Sequence, residues 1–230
     1  MLSHFLSGGD LTSFLILTLL SLPIALLSLS LHEAAHGFVA WRCGDPTARA
    51  LGRLTLNPLK HLNPLGTLCM LLCGFGWANP VPINSRYFKK PRRDIMLTSL
   101  AGPASNLLLA VIFLLLYRFV GFELLFKHVY LAPATTAFLR NVAYYLIIFL
   151  QLAISLNVSL ALFNLFPVPP LDGSRILFSL LPPRVYFKIM PYERQITIVL
   201  MIALLVATYF GWFSALVNLI MQGLLTLVGL

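Results

Sequence analysis

Negative charge is scarce in this chain. Seven Asp and Glu stand against sixteen Lys and Arg in 230 residues, and charged residues make up only 10% of it. A soluble domain carries roughly 25% charged residues, so an ordinary soluble protein, a disordered chain and a coiled coil are excluded. Cysteine is sparse too: Cys43, Cys69 and Cys73 form no CxxC pair and are too few for a disulfide scaffold, so free thiols are expected. No internal repeat, low-complexity tract or soluble linker interrupts the sequence, and a single domain is expected over residues 1–230. What is abundant is apolar surface, with 59% hydrophobic residues and a mean hydropathy of +0.90. The net charge of +9 would suggest nucleic acid in a soluble protein. Here the basic residues lie between long apolar runs, the pattern of cytoplasmic loops in a membrane protein. The expected partner is the lipid bilayer, with no nucleic acid.

Leu11 to Leu31 is apolar apart from Ser and Thr and reaches the length of about 20 residues needed to cross the hydrocarbon core. It lacks a basic leader and a small-residue cleavage site, so a removable signal peptide is a poor reading. The helical pattern runs on past Pro23 to Trp41, where Gly44, Asp45 and Pro46 stop it. Further runs cover Ile95 to Val120, about Phe138 to Phe166, and Ile196 to Leu230, the last with room for two short spans around Gly211. The expected fold is an all-α polytopic membrane protein with four to five transmembrane helices. Its catalytic core would cover about residues 11–182, followed by one or two C-terminal hydrophobic helices over 195–230.

Loop charge orients the spans. Arg42, Arg49, Arg53 and Lys60 lie in one loop and Arg86, Lys89, Lys90, Arg92 and Arg93 in another, which places both on the cytoplasmic side and the N-terminus outside. The apolar segment between them, Leu62 to Val81, cannot cross if both flanks share a side. Interrupted by Pro64, Gly66, Gly74, Gly76 and Pro80, it reads as a small re-entrant, membrane-embedded β or loop element shielded by protein. Arg118, Lys127 and Arg140 then fall outside, and Arg175, Arg184, Lys188 and Arg194 return to the cytoplasm.

Two acidic residues, Glu33 and Asp172, fall inside or at the ends of apolar runs, where a charge costs at least about 2.5–3.5 kcal/mol and needs a function or a metal to compensate it. Glu33 belongs to His32-Glu33-Ala34-Ala35-His36. On a helix, imidazoles at i and i+4 share one face and can bind one zinc ion, with the glutamate beside them as general base. The competing reading is a pair of packed or hydrogen-bonded histidines, but two imidazoles and a carboxylate within one turn in a membrane need partners. A hydrolytic zinc takes three protein ligands. His61 and Asp172 are both candidates for the third, whereas His4 and His128 sit near the outer ends of the fold. Topology favours Asp172, because the third long span delivers it to the level of the HEAAH segment and Pro167, Pro169 and Pro170 put it on irregular backbone. A plain Asp-Gly turn is the alternative there.

His32-Glu33-Ala34-Ala35-His36 on a transmembrane helix, with Asn164-Leu165-Phe166-Pro167 and Pro170-Leu171-Asp172-Gly173 on a later one, resembles the site-2 protease family of intramembrane zinc metalloproteases. Gly44-Asp45-Pro46-Thr47, Gly52 to Pro58, Trp77 to Asn84 and Ala101-Gly102-Pro103-Ala104-Ser105-Asn106 also resemble its compact bacterial and archaeal branch. The resemblance implies one zinc ion per chain on His32, His36 and Asp172, water activated by Glu33, and Asn164 near the substrate. It also implies peptide-bond hydrolysis in or near transmembrane segments of protein substrates, in a prokaryotic plasma membrane with the active site toward the cytoplasm. The chain has no room for a PDZ domain or paired regulatory domains, so regulation is absent or supplied by a separate protein. His61 is a second electrophile for the substrate or, more simply, a donor to a loop carbonyl. Ala101 to Asn106 offers small residues for close helix packing, with Asn106 a possible interhelical hydrogen bond; packing is the preferred reading. A divalent-metal transporter would need polar residues on a path to both faces, and an inactive helix-binding scaffold would be expected to lose one of the four reactive groups; neither pattern is present.

Overall fold

The computed structural model describes residues 10–66, 79–132 and 135–230. Three helices are long and apolar enough to span a membrane: Leu11–Arg42, Pro91–Tyr130 and Ala137–Leu165. The first, α1 (Leu11–Arg42), carries Pro23 inside and Arg42 in its last turn, where a cation suits the carbonyl end of the helix. At about 48 Å it exceeds the roughly 30 Å hydrocarbon thickness, so its last turns emerge into the region that carries the basic loops. Gly44 ends it with a φ of 112°, and a Cβ there would meet the Tyr87 carbonyl at 3.0 Å. A short helix α2 (Thr47–Ala50) follows.

The second span starts earlier than its apolar run, because Pro91 occupies the first helical turn and the Asp94 carboxylate accepts from the Lys90 N–H. It is α-helical as α3 (Pro91–Leu116) and continues as a wider π-helix over Tyr117–Tyr130. That winding carries the helix past Val120, where the apolar run ends. Arg118 pairs there with Glu123 and also donates to the Val228 carbonyl, while Lys127 pairs with Glu123 at 3.0 Å, so one carboxylate offsets part of the charge of two cations. The third span, α4 (Ala137–Leu165), is capped by the Thr136 hydroxyl. After it come α5 (Asp172–Leu180), α6 (Pro183–Ile189), α7 (Glu193–Tyr209) and α8 (Trp212–Leu227). The last apolar run thus forms two helices hinged at Gly211, whose φ is 80°.

Helix α3 lies between α1 and α4 and also packs on α5. Ala110 and Leu114 of α3, Ile154 and Val158 of α4 and Val217 of α8 form the enclosed core. Small buried residues such as Ala153 and Ala161 let the backbones approach, as expected where lipid supplies no hydrophobic drive between helices. Outward-facing Leu19, Phe119 and Val199 are 64–71% exposed, an apolar coat that suits a bilayer. No strand occurs among the described residues. The expected re-entrant β or loop element falls mainly on residues 67–78, outside the described residues.

Candidate metal centre

One turn apart on α1, the His32 and His36 rings meet nearly edge to face, with centroids 4.6 Å apart and planes at 85°. Asp172 opens α5, directly after the prolines that end α4. Gly173 lies against the Leu165 and Phe166 carbonyls so closely that a side chain there would overlap them, which fixes the turn that aims Asp172 inward. The outcome is a triangle of donor atoms: His32 Nε2 to His36 Nε2 is 3.0 Å, and Asp172 Oδ2 lies 3.2 Å from each. Ligands of a tetrahedral zinc with bonds of about 2.0–2.1 Å stand about 3.3 Å apart, so this donor set fits such an ion in both chemistry and spacing. Both histidines and the aspartate are largely shielded from solvent. Burial opposes ionisation of Asp172, but its hydrogen bonds to the His32 and His36 imidazoles outweigh it and hold the carboxyl well below the usual range.

The imidazoles are supported from α3. His36 Nδ1 donates to the Thr98 carbonyl at 2.7 Å, which leaves Nε2 free for a metal. His32 Nδ1 lies 3.3 Å from the Asn106 amide nitrogen. Between these contacts sits Gly102, where a Cβ would collide with both rings. Thr98, Gly102 and Asn106, spaced by four, therefore form the wall behind the two histidines. Sequence reasoning assigned Gly102 and Asn106 to helix packing, with an interhelical hydrogen bond possible for Asn106, and missed Thr98. The signal was the four-residue spacing of Gly102 and Asn106 on a helix that had to meet the HEAAH face.

Glu33, half-buried beside the ligands, accepts the Val81 N–H on Oε2 at 2.7 Å. The extended segment 79–84 that supplies this contact is itself pinned. Its Asn79 N–H bonds the His61 carbonyl, its Asn84 N–H bonds Asp45, and Arg53 donates to the Asn79 carbonyl. Pro80 and Pro82 have no N–H, so within 79–84 only the Ile83 N–H is without a partner among the described residues.

His61 is 1% exposed and donates from Nε2 to the Thr55 carbonyl at 2.8 Å. Its ring is enclosed and holds the loop, so no face is open to a substrate in this arrangement. Asn164 is half-buried near the end of α4, its amide bonded back to the Leu160 carbonyl at 2.9 Å. It does not join the donor triangle. His128 is exposed in the π-helical stretch, remote in sequence from these elements, and His4 lies outside the described residues.

The sequence profile described as Peptidase family M50 matches residues 21–208. A Bacillus subtilis protein, YwhC, named as a candidate zinc metalloprotease, is 46% identical over 185 residues, covering 80% of this chain and 76% of its own. Proteins named Rip2, also candidate zinc metalloproteases, from Mycolicibacterium smegmatis and Mycobacterium tuberculosis are each 34% identical over 198 residues, covering 84% of this chain and 69% of theirs. No solved structure matches the chain.

Proposed function

Because this chain belongs to peptidase family M50 and is an intramembrane zinc metalloprotease, we propose that His32, His36 and Asp172 are its zinc ligands and Glu33 its general base. The observation that carries this assignment is the approach of two imidazole nitrogens and one carboxylate oxygen to within 3.2 Å of one another, contributed by helices far apart in the chain. When bound, zinc supplies Lewis acidity that polarises a peptide carbonyl and acidifies water. Glu33 takes the proton of the attacking water and returns it to the leaving amine. The Val81 N–H holds one carboxylate oxygen of Glu33 and leaves the other to accept that proton.

The substrates are membrane proteins, and the cleaved bond lies in or near a transmembrane segment. A helix hides its carbonyls in i to i−4 hydrogen bonds, so a stretch of it must unwind before Glu33 and the metal can act. Asn164 is the proposed contact to the unwound backbone, its single local bond to Leu160 being one that a substrate carbonyl can replace. The basic loops at the end of α1 and before α3 support a cytoplasm-facing site in a prokaryotic plasma membrane. Residues 11–182 form the catalytic unit, with the helices over 195–230 packed against it. The test is to measure bound zinc and then cleavage of a single-pass membrane protein in detergent. Wild type should bind zinc and cleave, and Glu33→Gln should bind zinc without cleaving. Full cleavage by Glu33→Gln overturns the general base.

A further inference from the structure

The two imidazoles are held in different ways. His36 directs Nδ1–H to a backbone carbonyl, that of Thr98, which no substitution removes. His32 depends on a side chain, the fully buried amide of Asn106.

In the arrangement described, the Asn106 amide nitrogen faces His32 Nδ1 at 3.3 Å, and His32 Nε2 faces the Asp172 carboxylate at 3.2 Å. Those contacts suit the tautomer protonated on Nε2, with Nδ1 accepting from the amide. They leave a cost: Asn106 Oδ1 is buried with no hydrogen-bond partner. A metal on Nε2 requires the other tautomer, because a neutral imidazole carries one proton and it must then sit on Nδ1. An N–H facing an N–H cannot stand. Rotating the Asn106 amide by half a turn resolves both faults, since Oδ1 then accepts from Nδ1–H.

We infer that Asn106 is a positioning residue for the metal centre: its Oδ1 accepts from His32 Nδ1–H in the zinc-loaded protein, fixing the tautomer and ring angle that present Nε2. This inference rests on the metalloprotease reading. The orphaned Oδ1 and the buried location distinguish it from packing, which would favour an apolar residue here.

The test uses the purified full chain in detergent, with Zn²⁺ affinity read by competition against a chromophoric chelator and the site viewed through the visible spectrum of the Co²⁺ form. Asn106→Leu keeps the volume and removes the acceptor, whereas Asn106→Asp keeps an acceptor oxygen. Loss of a partner of this kind lowers metal affinity about 10–100-fold, so Leu should lose that much and alter the Co²⁺ spectrum while Asp stays near wild type. Wild-type affinity and spectrum in Asn106→Leu overturn the inference, as does equal loss in both variants with unchanged apo-protein melting. If neither variant folds, ¹H–¹⁵N NMR of zinc-loaded wild type decides: a downfield, slowly exchanging His32 Nδ1–H, as a buried hydrogen bond gives, supports the role, and an Nδ1–H with the shift and exchange of an unbonded imidazole overturns it. Wild type that holds no zinc instead overturns the metalloprotease reading itself, a different outcome.

Discussion

Gly102→Ala separates the metal centre from the helix that backs it. In an exposed helix this change is favourable by about 1 kcal/mol, since Ala gains propensity over Gly. At residue 102 the added methyl would stand 2.5 Å from His32 Cε1 and 2.6 Å from its Nε2, and closer still to His36 Nε2. Reaching ordinary contact requires the rings, or α3 itself, to move by about 1 Å, because protein interiors are close-packed and do not absorb such an overlap. A shift of that size spoils a donor triangle whose edges are 3.0 and 3.2 Å. Removing only an outer support costs up to about 100-fold in metal affinity, so displacing the ligands themselves should cost at least that, about 2.7 kcal/mol. The assay is zinc content after desalting, zinc affinity by chelator competition, and the melting temperature of metal-free protein. Expected are lost zinc, lost cleavage and an apo melting temperature lowered only by the overpacking cost of about 1–3 kcal/mol less the gain in helix propensity. Wild-type zinc affinity in Gly102→Ala would refute the claim that α3 forms the wall behind the imidazoles.

Four further outcomes follow from the same geometry. Glu33→Gln should retain zinc and lose about 10²–10⁴-fold in cleavage rate, measured on a single-pass substrate under single-turnover conditions. Asp172→Ala removes one of three ligands and should leave the protein without stoichiometric zinc by elemental analysis, although α5 is retained by circular dichroism. A chelator should abolish cleavage and lower the melting temperature, both restored by added Zn²⁺; cleavage that survives complete removal counts against a metal-dependent enzyme. Asp45→Ala strips the acceptor from the Thr47 and Asn84 N–H groups and should cost about 1–3 kcal/mol by thermal unfolding. It should also reduce cleavage, because the segment that steadies Glu33 loosens.

The donor set was legible because its chemistry is written in residue types. Histidines four apart on a helical stretch must share a face, and a carboxylate behind Pro167, Pro169 and Pro170 has to lie where the third span ends. The hinge at Gly211 was legible for the same reason, since little else would break so apolar a run. Its supports were not. Thr98 acts through a main-chain carbonyl and Val81 through a main-chain N–H, so no side chain advertises either role. Gly102 acts through the side chain it lacks, which composition reads as close packing. The start of α3 was missed by four residues because Pro91 and Asp94 are polar or conformational signals outside the apolar run. Asn106 was legible as a helix-to-helix contact but not as a contact with His32, which depends on the register of α1 against α3.

Asp172 and the two histidines are separated by roughly 140 residues of chain, so an ion held among them would cross-link α1 to α5, with α6, α7 and α8 still to follow. Cargo of this kind is captured only once α1, α3 and α5 have docked. A chain inserted only as far as α4 has Glu33 and two imidazoles but no third donor, so the triangle closes only when α5 docks.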